Sequence, residues 1–297
     1  MRRMSGLLSL LLLARAAPAV AHAAGAADDH APPGWTLDPW ITGPLALAAL
    51  LFARGWWRLH ARSGQGSAAL RRRGRLYAAG LLVLAAALVS PLHQAGERSF
   101  AAHMFEHELL MLVGAPLLVL AEPLAIMLWA FPSAARRAIA ATVPVIAAPW
   151  RRLTGAVTAT VLQAAALWLW HAPALFDRAL ASEGWHVAQH LSFLVSALLF
   201  WTAMLHRRTP AGIAALCLVA TAIVSGALGA LMAFATSPWY AGYSSLGMAP
   251  FGLTLAEDQQ LAGLLMWVPG SLVHAGAALV LMRRLLVDSA EREPHAR

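Results

Sequence analysis

The sequence contains a single cysteine, no lysine and few charged residues. With one cysteine, Cys217, an intrachain disulfide and a cysteine-based metal site are both excluded, and the apolar run around it predicts a packing role. Charged residues make up 12% of the 297 residues and hydrophobic residues 60%. A soluble domain has roughly 25% charged residues. The composition therefore predicts an integral membrane protein.

The absence of lysine leaves arginine as the only residue behind the net charge of +8, if histidine is neutral. A nucleic-acid-binding face is not indicated, because most arginines lie in short connections between apolar segments. Seventeen lie in alternate connections and in the C-terminal tail, and the opposite connections carry only Arg98 and Arg178. The positive-inside rule then predicts a plasma-membrane protein with its mature N-terminus outside and its C-terminus in the cytoplasm.

The apolar segments predict an all-α, polytopic membrane helical bundle that follows a cleaved signal peptide. Residues 1–23 have the charged start, short apolar core and small residues of such a peptide, with an uncleaved anchor as the alternative. We expect an external flexible lead at 24–39, a membrane domain at 40–285 and a cytoplasmic tail at 286–297. Seven spans are predicted near residues 40–58, 75–91, 103–122, 154–171, 185–205, 211–235 and 258–282. Pro116 and Pro123 predict a kinked third span and then a short helix at the inner surface.

Histidines are concentrated at the predicted external ends of the spans. Six of the twelve lie there: His93, His103, His107, His171, His186 and His190. Residues four apart share a helix face, so two His-x-x-x-His pairs each present neighbouring rings, and Met111 follows the first pair at the same spacing. Imidazole with thioether suits copper, and imidazole alone also suits zinc or haem iron. The alternative is that these are ordinary polar residues at the membrane surface and a core methionine.

The last two spans show packing and capping patterns. Thr254 and Glu257 fit a capping box, and Asp258 either stabilises the same helix start or orients a ligand histidine. Ala262 and Gly263 permit close helix approach, and Ser225–Gly229 is a matching small-residue face. His274, deep in the last span, is predicted to be a packed histidine. The aromatic connection at 237–251 is predicted to be external.

Four motifs, taken in order, resemble those of the CtaG family of polytopic cytochrome c oxidase (caa-type) assembly factors. They lie at residues 103–120, 170–180, 186–201 and 258–270, and the resemblance covers roughly 38–285. It implies a role in maturing haem–copper oxidase at the copper step. The matching positions are His103, Met104, His107, Met111, His171, His186, His190, Asp258, Gln259 and Met266. Glu106 departs from the glutamine expected there and would add a carboxylate that favours a harder metal.

The combined prediction is a copper-binding assembly factor rather than an enzyme, since no nucleophile, base or catalytic cofactor motif is present. The predicted metal ligands are His103, His107, His186 and His190, with Met104 and Met111 as softer candidates. Asp258 and Gln259 are predicted to orient the ligands, and Met266 and His171 to complete the cofactor-binding positions. The expected partners are the oxidase subunits, the lipid bilayer and other copper chaperones, with no nucleic acid.

Three alternatives stay open at this point. A b-type cytochrome would take one axial histidine from each of the third and fifth spans, and the spacing of four residues leaves room for a single haem. A copper transporter would need polar groups through the membrane, where the inner halves offer mainly His274. A structural partner of the oxidase would bind no metal at all.

Overall fold

The structure is a computed structural model that describes residues 32–62, 67–206, 208–244 and 252–292, and these contain no strand. The helices are α1 Pro39–His60, α2 Ser67–Leu88, α3 Pro91–Gly96, α4 Phe100–Glu108, α5 Ala115–Ala121, α6 Pro123–Met127, α7 Ser133–Leu153, α8 Ala156–Trp170, α9 Pro173–Ala181, α10 Glu183–Leu205, α11 Ala211–Ala233, α12 Ala241–Ser244 and α13 Leu255–Arg292. A π-helical segment, Leu109–Gly114, joins α4 to α5, and a short 3₁₀ turn, Leu128–Ala130, follows α6. The predicted signal peptide, the first half of the lead (24–31) and the end of the tail lie outside the described residues.

Long helices lie at each of the seven segments predicted as spans. Among the described residues, four are long and apolar enough to cross a membrane: Phe100–Ala121, α10, α11 and Leu255–Val287. A fifth is added if α7 and α8, which meet at a bend of 69°, form one broken span. The protein is therefore an all-helical membrane protein with several apolar helices.

The arginines between the first two predicted spans lie mostly in helix rather than in an irregular segment. Six of these seven arginines are helical, because α1 continues to His60 and α2 already begins at Ser67. Arginine is a good helix former, and its long side chain lets a helix extend beyond the apolar layer. Arg54 Nε donates to Ala130 O at 3.1 Å, and Arg58 donates to the same carbonyl at 3.2 Å. These arginines hold the turn that follows α6.

The third span contains a wide turn where the proline predicted a kink. In the π-helical segment the Ala115 N–H donates to Leu110 O. It therefore does not donate to Met111 O, which would be its acceptor in a regular α-helix. Pro116 has no N–H to offer that carbonyl either. The Trp201 indole N–H from α10 donates to Met111 O at 2.8 Å instead. A tertiary contact therefore satisfies the backbone group that the wide turn leaves open.

Helix α7 was not predicted. Its segment is predicted only as a connection with four arginines, and Ser133–Leu153, which also contains Pro144 and Pro149, is continuous helix. No residue of α7 is buried in the chain. The short helix expected after the third span is present as α6, and Glu122, with a φ of 48°, separates it from α5.

Helices α11 and α13 pack backbone to backbone, as the small residues predicted. A Cβ on Gly229 would lie 2.8 Å from Gly263 O, and a Cβ on Gly263 would lie 2.5 Å from Gly229 O. Only glycine permits this approach. The pair holds α13 against the rest of the bundle and fixes the position of Asp258 at its start.

Candidate metal centre

The centre begins where α4 begins. Ser99 caps α4, its Oγ accepting from Ala102 N at 3.2 Å. The Asp258 carboxylate of α13 accepts from Ser99 Oγ at 2.7 Å and from Phe100 N at 2.6 Å. An anion at a helix N-terminus satisfies free N–H groups and complements the helix dipole. This capping fixes the first turns of α4, from which His103 and His107 project.

Five histidine rings from three helices meet at this end of the bundle. His103 and His107 of α4 have ring centroids 4.4 Å apart, and so do His186 and His190 of α10. The two pairs contact each other, with 4.7 Å between the rings of His107 and His190. His93 of α3 joins them at 5.3 Å from His186. We call these five residues the histidine cluster.

Within the histidine cluster, two sets of three rings place their nitrogen atoms close enough to share one metal ion. His103, His107 and His190 form a fully buried set, and His93, His186 and His190 form a second, partly exposed set. Within each set the ligating atoms all lie within 4.8 Å of one another. His190 belongs to both. The cluster therefore offers an outer and a buried position that share one ligand.

A buried carboxylate lies between the two sets. Glu106 of α4 is 0% exposed, and its Oε1 lies 2.8 Å from His93 Nδ1 and 3.1 Å from His190 Nε2. Burial acts to lower the pKa of His93, but the hydrogen bond and the charge of Glu106 outweigh it and raise that pKa above its usual 6.5. Oε2 of Glu106 has no partner among the described residues. The carboxylate supplies negative charge to a cation in either set.

Several ring nitrogens of the cluster lack hydrogen-bond partners within the described chain. They are His103 Nδ1, both nitrogens of His107, and His186 Nε2. A buried polar group without a partner costs roughly 1–3 kcal/mol. Unpartnered nitrogens on adjoining rings, beside a carboxylate, are the arrangement expected of a metal-binding site. The residues present therefore fit a metal ion.

Hydrogen bonds at one ring nitrogen of His190 and of His103 fix the orientation of the other nitrogen. His190 Nδ1 donates to the backbone carbonyl of His186 at 3.1 Å. His103 Nε2 donates to Gln189 Oε1 at 3.3 Å, which leaves Nδ1 of His103 with its lone pair. A hydrogen bond at one ring nitrogen sets the nitrogen available to a metal, as in most histidine metal sites. Gln189, 0% exposed, thus orients a candidate ligand.

The comparison with family models agrees with this geometry. The model described as cytochrome c oxidase caa3 assembly factor (Caa3_CtaG) matches residues 50–288, which include the whole histidine cluster. The chain belongs to this family. No curated protein and no solved structure matches the chain. The resemblance to CtaG proteins drawn from the four motifs is confirmed.

In this CtaG-family chain, the two predicted methionine ligands lie away from the histidine sets. Met104 Sδ lies 3.2 Å from His171 Nε2, and the Nδ1 of that ring donates to Leu167 O at 2.7 Å. Met111 lies deeper, where its sulfur accepts from Gln163 Nε2 at 4.0 Å. The structure thus brings together the four predicted histidines, pairs Met104 with His171, and places Met111 apart.

The predicted orienting residues act on backbone rather than on rings. Both oxygens of Asp258 are used by the start of α4, so this carboxylate positions His103 and His107 through their helix and not through a hydrogen bond to imidazole. The amide of Gln259 accepts from Trp239 N at 2.7 Å and donates to Ser237 O at 3.2 Å. Gln259 therefore holds the connection between α11 and α12.

The residues that follow α11 place two tyrosine rings, Tyr240 and Tyr243, beside the cluster, and we call these rings with Phe100 and Phe176 the aromatic wall. Tyr240 donates to His171 O at 3.1 Å, and Tyr243 donates to Gly96 O at 2.7 Å. Both rings pack on Phe100 and Phe176, and Phe176 in turn contacts His103 with ring centroids 5.3 Å apart. The wall shields the buried set of histidines on this side, and burial raises the pKa of the Tyr240 phenol.

Sequence reasoning missed three residues of this centre as parts of the site. His93 is among the external histidines of the sequence analysis but not among the predicted ligands, and the structure places it in the separate short helix α3. Glu106 had been noted as a departure from the family pattern, and that departure was the signal for its central position. Gln189 carried no signal beyond lying next to His190.

Proposed function

We propose that this protein takes up copper at the histidine cluster and passes it to cytochrome c oxidase during assembly of the enzyme, with no catalytic turnover of its own. The observation that carries the proposal is the convergence of five histidines, with unpartnered nitrogens, on the buried carboxylate of Glu106. Membership of an oxidase assembly family supports cytochrome c oxidase as the recipient of the copper. Copper is the cargo here, because the caa-type oxidases for which the family is named belong to the haem–copper class.

Copper fits the donor set better than the other first-row metals. Imidazole and carboxylate ligands bind divalent copper most tightly of the series, and imidazole also holds the monovalent ion. Zinc is the competitor at three histidines. The shared ligand His190 supports a two-position path, in which copper enters at the half-buried His93 and His186 and moves to the fully buried His103 and His107.

The haem alternative fits the cluster poorly. A haem iron between the third and fifth spans would need its two axial rings on opposite faces of a porphyrin. The rings of His107 and His190 instead contact each other, with centroids 4.7 Å apart. Purified protein is therefore expected to bind copper at a stoichiometric level and to show no haem absorption band that shifts on reduction. Metal analysis and an absorption spectrum on one sample check both expectations. A full haem complement would contradict the proposed copper function and indicate electron transfer instead.

We further propose the finer architecture: seven spans within a membrane domain at 40–285, after a signal peptide at 1–23 and a lead at 24–39, with a cytoplasmic tail at 286–297. The arginine asymmetry supports an external mature N-terminus, and it places the histidine cluster on the external side of the plasma membrane. Oxidase subunits and other copper chaperones are the partners of this face.

The orientation gives a direct prediction. A reporter enzyme that is active only outside the cytoplasm is expected to work when fused after Arg178, which precedes α10, and to be silent when fused after Arg208, which follows it. The two fusion points flank one helix, so each is the control of the other. Activity at Arg208 with silence at Arg178 would put the histidine cluster on the cytoplasmic face.

A further inference from the structure

A small cavity with several polar groups in its lining lies deeper in the bundle than the histidine cluster. Four membrane helices enclose it, and its polar and sulfur-containing lining residues are Glu108, Met111, Gln163, Thr221, Ser225, Met266 and His274. It has room for about one water molecule or ion. Glu108 follows His107 directly in the chain and Met111 lies one helical turn beyond it, so the cavity extends from the buried histidine set about 6 Å further along the third span. We call it the inner cavity.

Three groups that line the inner cavity have no partner among the described residues. They are Glu108 Oε2, Gln163 Oε1 and His274 Nε2, each inaccessible to solvent. Ionisable side chains within membrane spans are costly and mark ion or proton sites by default. A carboxylate, an amide oxygen and an imidazole nitrogen, all unsatisfied around one small space, indicate that the space holds something that they bind.

The surrounding structure holds His274 and Met111, on two sides of the cavity, in place for a ligand. His274 Nδ1 donates to Gly270 O at 2.7 Å, which leaves Nε2 with its lone pair. The ring stacks on Trp201, with planes 8° apart, and the Trp201 indole also holds Met111 O. Met111 lies in the π-helical segment, a local distortion that is frequent at functional sites. Trp201 therefore fixes one residue on each side of the cavity.

The lining also contains two thioethers, Met111 and Met266. Thioether ligands select Cu(I) over hard cations such as Mg²⁺ and Ca²⁺, which require oxygen ligands. We propose that the inner cavity is a second metal site, which takes Cu(I) through Met111, Met266 and His274, with Glu108 supplying the balancing charge. The proposal goes beyond uptake at the histidine cluster and rests on that proposed function for the identity of the metal.

Charge balance favours a monovalent ion. A Cu(I) ion brings one positive charge into the apolar layer, and Glu108, which releases its proton to solvent as the ion binds, offsets that charge and keeps the site neutral. A divalent ion would leave an uncompensated positive charge. Glu108 of the inner cavity follows His107 of the buried histidine set in the chain, so Cu(I), which imidazole also holds, can pass from the cluster to the cavity without a change of oxidation state.

The test measures binding of Cu(I) itself, supplied from a chromophoric Cu(I) chelator to the full-length protein in detergent. The double variant Met111→Leu/Met266→Leu removes both sulfurs and keeps side-chain volume, a substitution that cores tolerate. It is expected to lose one Cu(I) equivalent or to bind it more than roughly ten-fold more weakly, since even indirect changes alter metal affinity that much. X-ray absorption of the wild type should show copper–sulfur scattering that this variant loses.

Two controls separate this site from the histidine cluster. Met204→Leu makes the same change at a buried methionine outside the cavity and should bind like the wild type. The variant His107→Ala/His190→Ala should lose Cu(II) binding yet keep the Cu(I) equivalent and its sulfur signal. Unchanged Cu(I) stoichiometry and sulfur scattering in the methionine variant would overturn the inner site. Unchanged Cu(II) binding in the histidine variant would overturn the proposed function instead.

Discussion

Replacing His190 with alanine is expected to abolish most copper binding, because this ring belongs to both sets of the histidine cluster. His107→Ala should break the buried set and leave the outer set intact. Its loss of copper affinity should therefore be large, but smaller than that of His190→Ala. For His190→Ala we expect copper affinity to fall by more than roughly 100-fold, given that residues which merely orient ligands alter it 10- to 100-fold. Competition titration with copper measures both, and oxidase activity in cells should fall in the same order.

The double variant tests whether the rings act as one unit. Independent surface histidines would give additive losses, whereas groups that share a site show coupling free energies of roughly 0.5–3 kcal/mol. His107→Ala/His190→Ala is therefore expected to bind copper little worse than His190→Ala alone. Additive losses would speak for separate weak sites and against the cluster.

The matched control is His206→Ala. His206 is exposed and follows α10, at the opposite end of that helix from His186 and His190. It should change neither copper binding nor oxidase activity. Immunoblots must show equal amounts of every variant, because loss of a packed ring can also lower protein level. Normal copper binding by well-accumulated His190→Ala protein would remove the cluster from the copper pathway.

The second large effect is expected on stability, at the contact of α11 with α13. In Gly263→Ala the new Cβ would lie 2.5 Å from Ala233 N and Gly229 O, both backbone atoms that cannot move independently. Overpacking of this kind costs roughly 1–3 kcal/mol, and the upper end is expected where backbone meets backbone. Thermal unfolding followed by circular dichroism in detergent should show a clearly lower Tm.

Gly276→Ala is the control in the same helix. Nothing lies within 4 Å of a Cβ at Gly276, so the only effect is the better helix propensity of alanine, worth about 1 kcal/mol at most. Its Tm should stay equal or rise slightly. Equal melting of the two variants would mean that α11 and α13 do not pack through Gly229 and Gly263.

Local sequence patterns predicted those parts of the site that depend on one helix alone. The His-x-x-x-His spacing placed each pair of rings on one face, and the capping box appeared as predicted, with Thr254 N donating to Glu257 Oε2 at 2.8 Å. Ser182, a residue type that favours the N-cap position, precedes α10, although its side chain makes no capping hydrogen bond. Such features follow from helix geometry, which repeats regardless of the neighbours.

The helix that carries arginines and prolines shows the limit of composition. The arginines at both ends of residues 133–153 predicted a connection, and the segment, which also contains Pro144 and Pro149, forms a helix none of whose residues is buried in the chain. Helix α2 likewise begins eight residues before its predicted span. Hydropathy marks the apolar layer, whereas a helix continues for as long as its backbone bonds are made.

By itself the sequence determined that this is a helical membrane protein of the CtaG family and which histidines lie at helix starts. Only the tertiary structure decided that His93 and Glu106 belong with them, that Asp258 caps α4 instead of binding a ring, and that Met111 belongs to the inner cavity. The physical reason is sequence distance. A helix fixes neighbours three and four residues apart, but a bond such as Asp258 to Ser99, 159 residues apart, depends on how separate helices pack.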